Sequence, residues 1–226
     1  MRISILTISP DEFSGLFHNH IIDRAVKTGQ LQLDIADIRS FVDGCFRKVD
    51  DSPYGGGAGM ILRVQPVMDT IENVTAKGEK AFKVALSPTG KPYDQELARA
   101  FSQKEHLVLV CGHYEGIDAR VYEHMDQVVS IGDYVLSGGE IAAMAIADSI
   151  ARLLPGVVKE SSLREESFTN GLLEYPQYTR PADYKGKKVP EVLLSGNHEA
   201  IRAWRKEQAL RLTGENRPDI IQTGDE

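Results

Sequence analysis

His106-Leu107-Val108-Leu109-Val110-Cys111 is an unbroken apolar run, and Gly112-His113-Tyr114-Glu115-Gly116 follows it at once. A strand that is apolar along its whole length is buried on both faces, as in the interior of a parallel sheet. Ligands of open α/β sheets bind just beyond the carboxyl ends of such strands. The same grammar recurs on either side. Residues 81–86 read as a strand that leads into Ser87-Pro88-Thr89-Gly90. Residues 127–131 read as another, leading into Gly132-Asp133-Tyr134-Val135-Leu136-Ser137-Gly138-Gly139-Glu140. Residues 2–8 form a further buried-type strand, and 31–35 alternate as a half-exposed strand does. Helical patterns lie between them. Ser9-Pro10 offers a cap and a proline at the first helical position, opening a helix through Phe13, Leu16, Phe17, Ile21 and Val26 that stops at Gly29. Residues 64–77 read as a helix ending at Gly78, residues 93–104 as another, and the alanine-rich 140–154 as a third, closed by Pro155-Gly156. This βαβα rhythm predicts an α/β domain with a mainly parallel sheet. Three glycine-bearing loops at one sheet edge predict a pocket for a small molecule with several polar groups.

Composition sets the outer limits. Across 226 residues, 42% are hydrophobic and 26% charged, which excludes a disordered chain. Two distant cysteines, Cys45 and Cys111, exclude a disulfide scaffold and a cysteine-rich zinc site, and point to a reducing, cytoplasmic setting. No apolar run approaches the roughly 20 residues of a bilayer span, so no membrane partner is expected. The N-terminus is too short and too polar in its apolar stretch to read as a secretory signal.

The chain divides by pattern into an α/β domain at 1–157, a linker at 158–172 and a small, mostly helical domain at 173–226. The linker carries many charges and no period, and reads as a mobile loop. Asn197 is a good N-cap for the clearest C-terminal helix. Ile201, Trp204 and Leu210 form its apolar side, and Arg202, Arg205 and Lys206 fall together on another. Residues 222–226 read as a frayed tail. The net charge is −7, yet residues 175–211 hold eight Lys/Arg against four Asp/Glu, so that segment is +4 and the remainder −11. A basic block in an acidic chain can form a phosphate-binding surface, although charge runs are more often solvated faces.

Several chemistries fail on spacing. The cluster Tyr54-Gly55-Gly56-Gly57-Ala58-Gly59 puts Met60 or Leu62 where a dinucleotide fingerprint needs its third glycine, and no G-K-[ST] phosphate loop exists. Ser137 lacks the first glycine of a hydrolase nucleophile elbow. The histidines at 18, 20, 106, 113, 124 and 198 have no metal-ligand spacing. His106 reads as structural and Cys111 as inert packing. Asp148 and Arg152 stand one helical turn apart.

Taken in order, Tyr54–Met60 as quoted, Leu86-Ser87-Pro88, Gly112-His113-Tyr114-Glu115-Gly116-Ile117-Asp118, the run from Ser130 to Glu140, Tyr175-Pro176-Gln177-Tyr178-Thr179-Arg180-Pro181 and Leu194-Ser195-Gly196-Asn197-His198 closely resemble the bacterial tRNA (guanine-N1)-methyltransferases, the TrmD family of the SPOUT class. The resemblance spans nearly the whole chain. It implies a trefoil-knotted α/β domain, although threading is almost absent from folds in general and nothing in the pattern itself requires it. It also implies a homodimer with its active site at the subunit interface, S-adenosylmethionine (AdoMet) as methyl donor, and tRNA as substrate. The AdoMet-binding residues it implies are Leu86, Ser87, Pro88, Gly112, Tyr114, Glu115, Gly116, Ile131, Gly132, Asp133, Tyr134, Val135, Leu136, Gly138 and Gly139. The catalytic pair it implies is Arg152 and Glu166. The family's general base is an aspartate immediately before Ser-Phe; here Glu166 precedes Ser167-Phe168, one methylene longer, with Glu165 as a neighbour that could compete. Arg180, Lys185, Lys187, Lys188, Arg202 and Arg205 would contact tRNA phosphates, with Arg39, Arg47 and Lys48 near the glycine cluster. Magnesium dependence is implied by the resemblance alone. The reaction implied is methylation of N1 of guanine 37, the base 3′ to the anticodon. A related knotted enzyme acting on ribosomal RNA is the runner-up, against which the 175–181 motif and the separate C-terminal domain argue.

Overall fold

The computed structural model describes residues 1–42, 48–75 and 80–222. Arg47, Cys45, the expected helix stop at Gly78 and most of the expected tail lie outside the described residues. The chain forms two compact units, residues 1–158 and 159–226.

In the first unit the elements are β1 (Arg2–Thr7), a 3-10 segment (Pro10–His18), α1 (His20–Lys27), β2 (Gln32–Asp37), a short 3-10 turn (Ile38–Phe41), β3 (Asp50–Asp51), β4 (Ile61–Leu62), α2 (Val64–Val74), β5 (Phe82–Pro92), α3 (Gln95–Ser102), β6 (His106–Cys111), α4 (Ala119–Tyr122), β7 (Gln127–Ser130) and α5 (Glu140–Ala151). Five strands form one sheet in the order β2-β1-β6-β5-β7, and every pairing in it is parallel. Strand alternation sends residues to two apolar layers. Ile3, Ile5, Leu107, Leu109 and Cys111 pack with Phe13, Ile22, Phe101 and α5 on one face. Leu6, Val108 and Val110 pack with Ile38, Val67, Ile71 and Val121 on the other. All six residues of β6 are buried, which is why the run is apolar from Leu107 to Cys111. Each fully buried Leu or Ile contributes about 1.5–3 kcal/mol, so this sheet carries the unit's stability. His106 and Ser4 are hydrogen-bonded across β6 and β1 at 2.9 Å, which satisfies a buried polar pair.

The structure departs from the sequence pattern at several places, three of them outside the expected linker. The first helix is interrupted: Ser9 makes no side-chain cap bond, and Pro10–His18 is a 3-10 segment. Asn19 restarts the chain as α1, accepting from the backbone N–H groups of Ile21 and Ile22 while its amide donates to Asp148 at 2.9 Å. Second, the strand at 82 does not end at Leu86. It pairs with β7 again at Lys91 and Pro92, so Ser87-Pro88-Thr89-Gly90 bulges out of a continuing strand. A Cβ at Gly90 would overlap the backbone of Val129, so only glycine lets the two strands close again. Third, Leu210 is 44% exposed, and Ala209 and Thr213 take the buried positions of the C-terminal helix instead.

In the second unit, α6 (Glu160–Arg164) forms where a structureless linker was expected. It is followed by a two-stranded antiparallel ribbon, β8 (Asp183–Tyr184) and β9 (Lys187–Lys188), then α7 (Glu191–Leu194), α8 (His198–Asn216) and α9 (Pro218–Gln222). Asn197 caps α8, accepting from Glu199 and Ala200 backbone N–H groups at 3.1 Å. Among the described residues no helix is long and apolar enough to cross a membrane.

Candidate functional site

A cavity of about 470 Å³ opens at the bulge of β5 and beyond the ends of β6 and β7. That volume lies in the usual range of small-molecule sites, roughly 300–1,000 Å³. Three loops build it: the bulge at 86–89, the turn at 112–117 and the segment at 129–139. Adjacency in the sheet explains the convergence, because β6, β5 and β7 are neighbours and point the same way. Of the residues picked out for a cofactor, Leu86, Ser87, Pro88, Gly112, Tyr114, Glu115, Gly116, Ile131, Gly132, Tyr134, Val135, Leu136, Gly138 and Gly139 line this one cavity. Asp133 is exposed and outside the lining. Thr89, His113 and Ser137, which belong to the three loops read from sequence, and Ile117, Tyr122, Val129, Ser130 and Ala142 also line it, though none was among the residues picked out for the cofactor. For Tyr122 the sequence holds no signal, since it lies on a short helix away from the strand ends.

Close backbone packing fixes the loops. Gly139 N–H donates to Gly112 O at 2.7 Å, and His113 bridges Gly138 in antiparallel fashion. A Cβ at Gly139 would lie 2.8 Å from Cys111 Cα and 2.9 Å from Gly112 N, so a side chain there would push two pocket loops apart. Downstream of the glycine cluster, Met60 O accepts from Glu115 N–H at 3.0 Å, and Leu62 N–H donates to Gly116 O at 3.0 Å. The 112–117 turn is thus pinned by β4 as well as by its own strand. Tyr114 adopts φ +56°, a left-handed conformation unusual for a non-glycine residue, and its ring meets His113 edge-on at 4.7 Å.

Beneath the pocket, Glu140 is only 2% exposed. Thr7 Oγ1 donates to its Oε1 at 2.7 Å, and His113 Nδ1 lies 3.7 Å from its Oε2. Its place in the first turn of α5 sets the carboxylate against the positive end of the helix. Glu140 ties the end of β1 to the start of α5. Sequence reasoning passed over it, though an acid opening an otherwise apolar helix was the available signal. Burial, with Glu140 nearby, pushes the Cys111 thiol well above its ordinary range, so it is not a nucleophile.

The cavity suits a purine nucleoside. Leu86, Ile131, Leu136 and Ala142 offer apolar surface for ring faces, and the peptide groups of the glycine loops offer donors and acceptors for edges and hydroxyls. Among the described residues no three His, Cys, Asp or Glu side chains are gathered to hold a metal ion. The lining therefore fits AdoMet's nucleoside.

Arg152 directly follows the last turn of α5, where its backbone N–H donates to Asp148 O at 3.2 Å. Glu166 belongs to the other unit, in a turn closed by Thr169 N–H to Glu166 O at 3.2 Å and Phe168 N–H to Leu172 O at 2.8 Å. Ser167 Oγ accepts from Glu174 N–H at 2.9 Å, and Phe168 holds φ +69° with the Arg217 guanidinium 5.7 Å from its ring. This segment is a built turn. Glu165 is committed elsewhere: Tyr175 donates to its carboxylate at 2.7 Å and Arg205 pairs with it at 3.4 Å. Burial, reinforced by that bond, raises the Tyr175 phenol, so Tyr175 stays a donor.

Of the cations expected to meet phosphates, Arg180, Lys185, Lys187, Lys188 and Arg202 are exposed. Arg205 is half-buried and lies over the Tyr175 ring at 4.6 Å. Arg39 donates to Ile8 O, and Lys48 pairs with Asp51 at 3.0 Å, holding that carboxyl below its usual range.

The family profile described as tRNA (Guanine-1)-methyltransferase TrmD matches residues 1–223. The tRNA (guanine-N(1)-)-methyltransferase of Geobacillus kaustophilus is 50% identical over 223 residues, covering 98% of this chain and 91% of that protein. Those of Clostridium botulinum and Clostridium beijerinckii are 51% and 52% identical, over 98% and 97% of this chain and 92% of each relative.

Proposed function

The chain belongs to the tRNA (guanine-1)-methyltransferase family, and from that membership we propose that it transfers a methyl group from AdoMet to N1 of guanine 37 in tRNA, giving 1-methylguanosine. The observation that carries this reading is one cavity shared by the bulge within β5 and the loops after β6 and β7. AdoMet supplies a methyl group already activated on a sulfonium. Leu86, Ser87, Pro88, Gly112, Tyr114, Glu115, Gly116, Ile131, Gly132, Tyr134, Val135, Leu136, Gly138 and Gly139 would hold it, with Asp133 exposed beside them.

Guanine N1 carries a proton and attacks poorly until that proton leaves. The Glu166 carboxylate, which holds the position before Ser167-Phe168 where the family pattern has its base, accepts it. The Arg152 guanidinium stabilises the charge that moves onto O6. We extend the proposal to the trefoil knot, to a homodimer with its active site at the subunit interface, and to a cytoplasmic location; family membership supports each. The 1–157, 158–172 and 173–226 division is kept as a functional one: cofactor domain, base-bearing segment, tRNA-binding domain. A magnesium requirement rests on the resemblance alone.

The test is methyl transfer from labelled AdoMet to two tRNA transcripts that differ only in G or A 3′ to the anticodon. Label recovered as 1-methylguanosine from the G transcript alone is the expected result. No label in either transcript, despite AdoMet binding, would overturn the assignment.

A further inference from the structure

The second unit contains its own cavity of about 360 Å³, which the methyl-transfer chemistry does not use. Tyr175, Tyr178, Arg180, Leu193, Trp204 and Arg205 are in its walls, and no acidic side chain is among the described residues lining it. The Tyr178 and Trp204 rings have centroids 6.3 Å apart and are inclined at 54°, so they do not cover each other's faces. Arg205 carries a buried Nε–H with no hydrogen-bond partner among the described residues. A buried donor without an acceptor is costly, and an acceptor on a ligand would relieve it. The β8–β9 ribbon rises directly from this cavity: Val189 N–H donates to Ala182 O at 2.9 Å, and both residues line the wall. Along the ribbon Lys185, Lys187 and Lys188 are exposed, and Tyr184 is 61% exposed with Lys185 Nζ 5.4 Å from its ring centre.

Aromatic faces, a buried arginine Nε–H without an acceptor, the exposed Arg180 and a flanking row of lysines are the parts needed to stack one unpaired base and hold its neighbouring phosphates. We infer that this cavity receives a single unstacked nucleotide of the RNA substrate, separate from the guanine that is methylated. The base stacks against Tyr178 and Trp204, while Arg180 and the ribbon lysines take phosphates. The inference rests on the tRNA reading above. It goes further in assigning base contact, and not phosphate contact alone, to the second unit.

Trp204 is the only tryptophan in the chain, so its emission reports on this cavity alone. Full-length protein is titrated with an anticodon stem-loop RNA and with a fully paired RNA duplex of equal length. Saturable quenching by the stem-loop and little by the duplex is expected. Tyr178→Ala should weaken stem-loop binding and raise the KM for tRNA about tenfold, the loss of one base stack, with the KM for AdoMet unchanged. Ala182→Leu, which narrows the cavity without removing an aromatic ring, should do the same; circular dichroism checks that both variants fold. Equal quenching by duplex and stem-loop, or an unchanged tRNA KM in both folded variants, would overturn the inference even if 1-methylguanosine forms normally. Absence of methylation together with selective quenching would sink the proposed reaction and leave the nucleotide site standing.

Discussion

Residues 1–158 bury all of β6 and flank it with two apolar layers, whereas in residues 159–226 the buried residues among those described are Ala209 and Thr213. The first unit is held by non-directional burial. The second is held by directed bonds: Thr213 Oγ1 accepts from Leu173 N–H at 2.9 Å and donates to Ala209 O at 2.7 Å, and Ser167, Tyr175 and Arg205 make comparable ties. One unit keeps a pocket rigid, and the other keeps a charged, aromatic surface in shape without much core. The proposed catalytic pair takes one residue from each, Arg152 from the first and Glu166 from the second.

The sharpest probe of that division is chemical. Glu166→Gln should lower kcat for methyl transfer by a factor of about 10²–10⁴, the range for losing a general base, with AdoMet binding by calorimetry unchanged. Glu166→Asp, which restores the residue of the family pattern, should stay within about tenfold of the parent; wild-type turnover in the Gln variant would remove Glu166 from the mechanism. Next in size is a cavity in the first unit. Leu109→Ala should cost about 2–5 kcal/mol in a denaturant melt followed by β6 amide exchange. Amide protection around Leu173 should not change if the two units owe their stability to separate contacts.

A pH scan comes third. Burial raises the Tyr93 phenol to about 12, with Ser149 bonded to it at 2.7 Å as the weaker, opposing influence. The folded value exceeds the unfolded one, so the stabilisation is complete below about pH 10. It is lost as pH rises toward 12, because the unfolded chain releases its proton first. The decline should be no more than about 3 kcal/mol and should be absent in Tyr93→Phe, measured as Tm against pH. The smallest effect belongs to the second unit. Thr213→Val keeps the shape but removes the acceptor for Leu173 N–H, costing about 1–3 kcal/mol locally. Hydrogen exchange at Leu173 should speed up while β6 amides stay protected; a global loss would show that the contrast between the units is wrong.

Much of the first unit was legible because its signals are local. β1, β6 and β7 are apolar runs, and the loops at 86–90, 112–116 and 131–140 announced a pocket through glycine. What escaped was set by partners distant in sequence. Asn19 restarts α1 where Ser9-Pro10 had promised one continuous helix, and its amide is held by Asp148. The strand that resumes at Lys91 depends on Val129 of another strand. Glu140 is buried because Thr7 meets it, and nothing near position 140 says so. In the second unit, α6 and the turn at Glu166 lack any hydrophobic period, so backbone bonding alone reveals them. The helix cap at Asn197 was readable, while the burial of Thr213 in place of Leu210 was not, since a weak apolar face leaves its orientation to polar contacts.

Phe168 bears on how binding entropy is distributed. A left-handed backbone costs a non-glycine residue about 1–2 kcal/mol, and here that cost is met when the chain folds. The turn around Glu166 is therefore already narrowed to few conformations before any RNA arrives. In the proposed mechanism, less ordering then remains to oppose association, and more of the contact energy is left for discriminating one guanine from another.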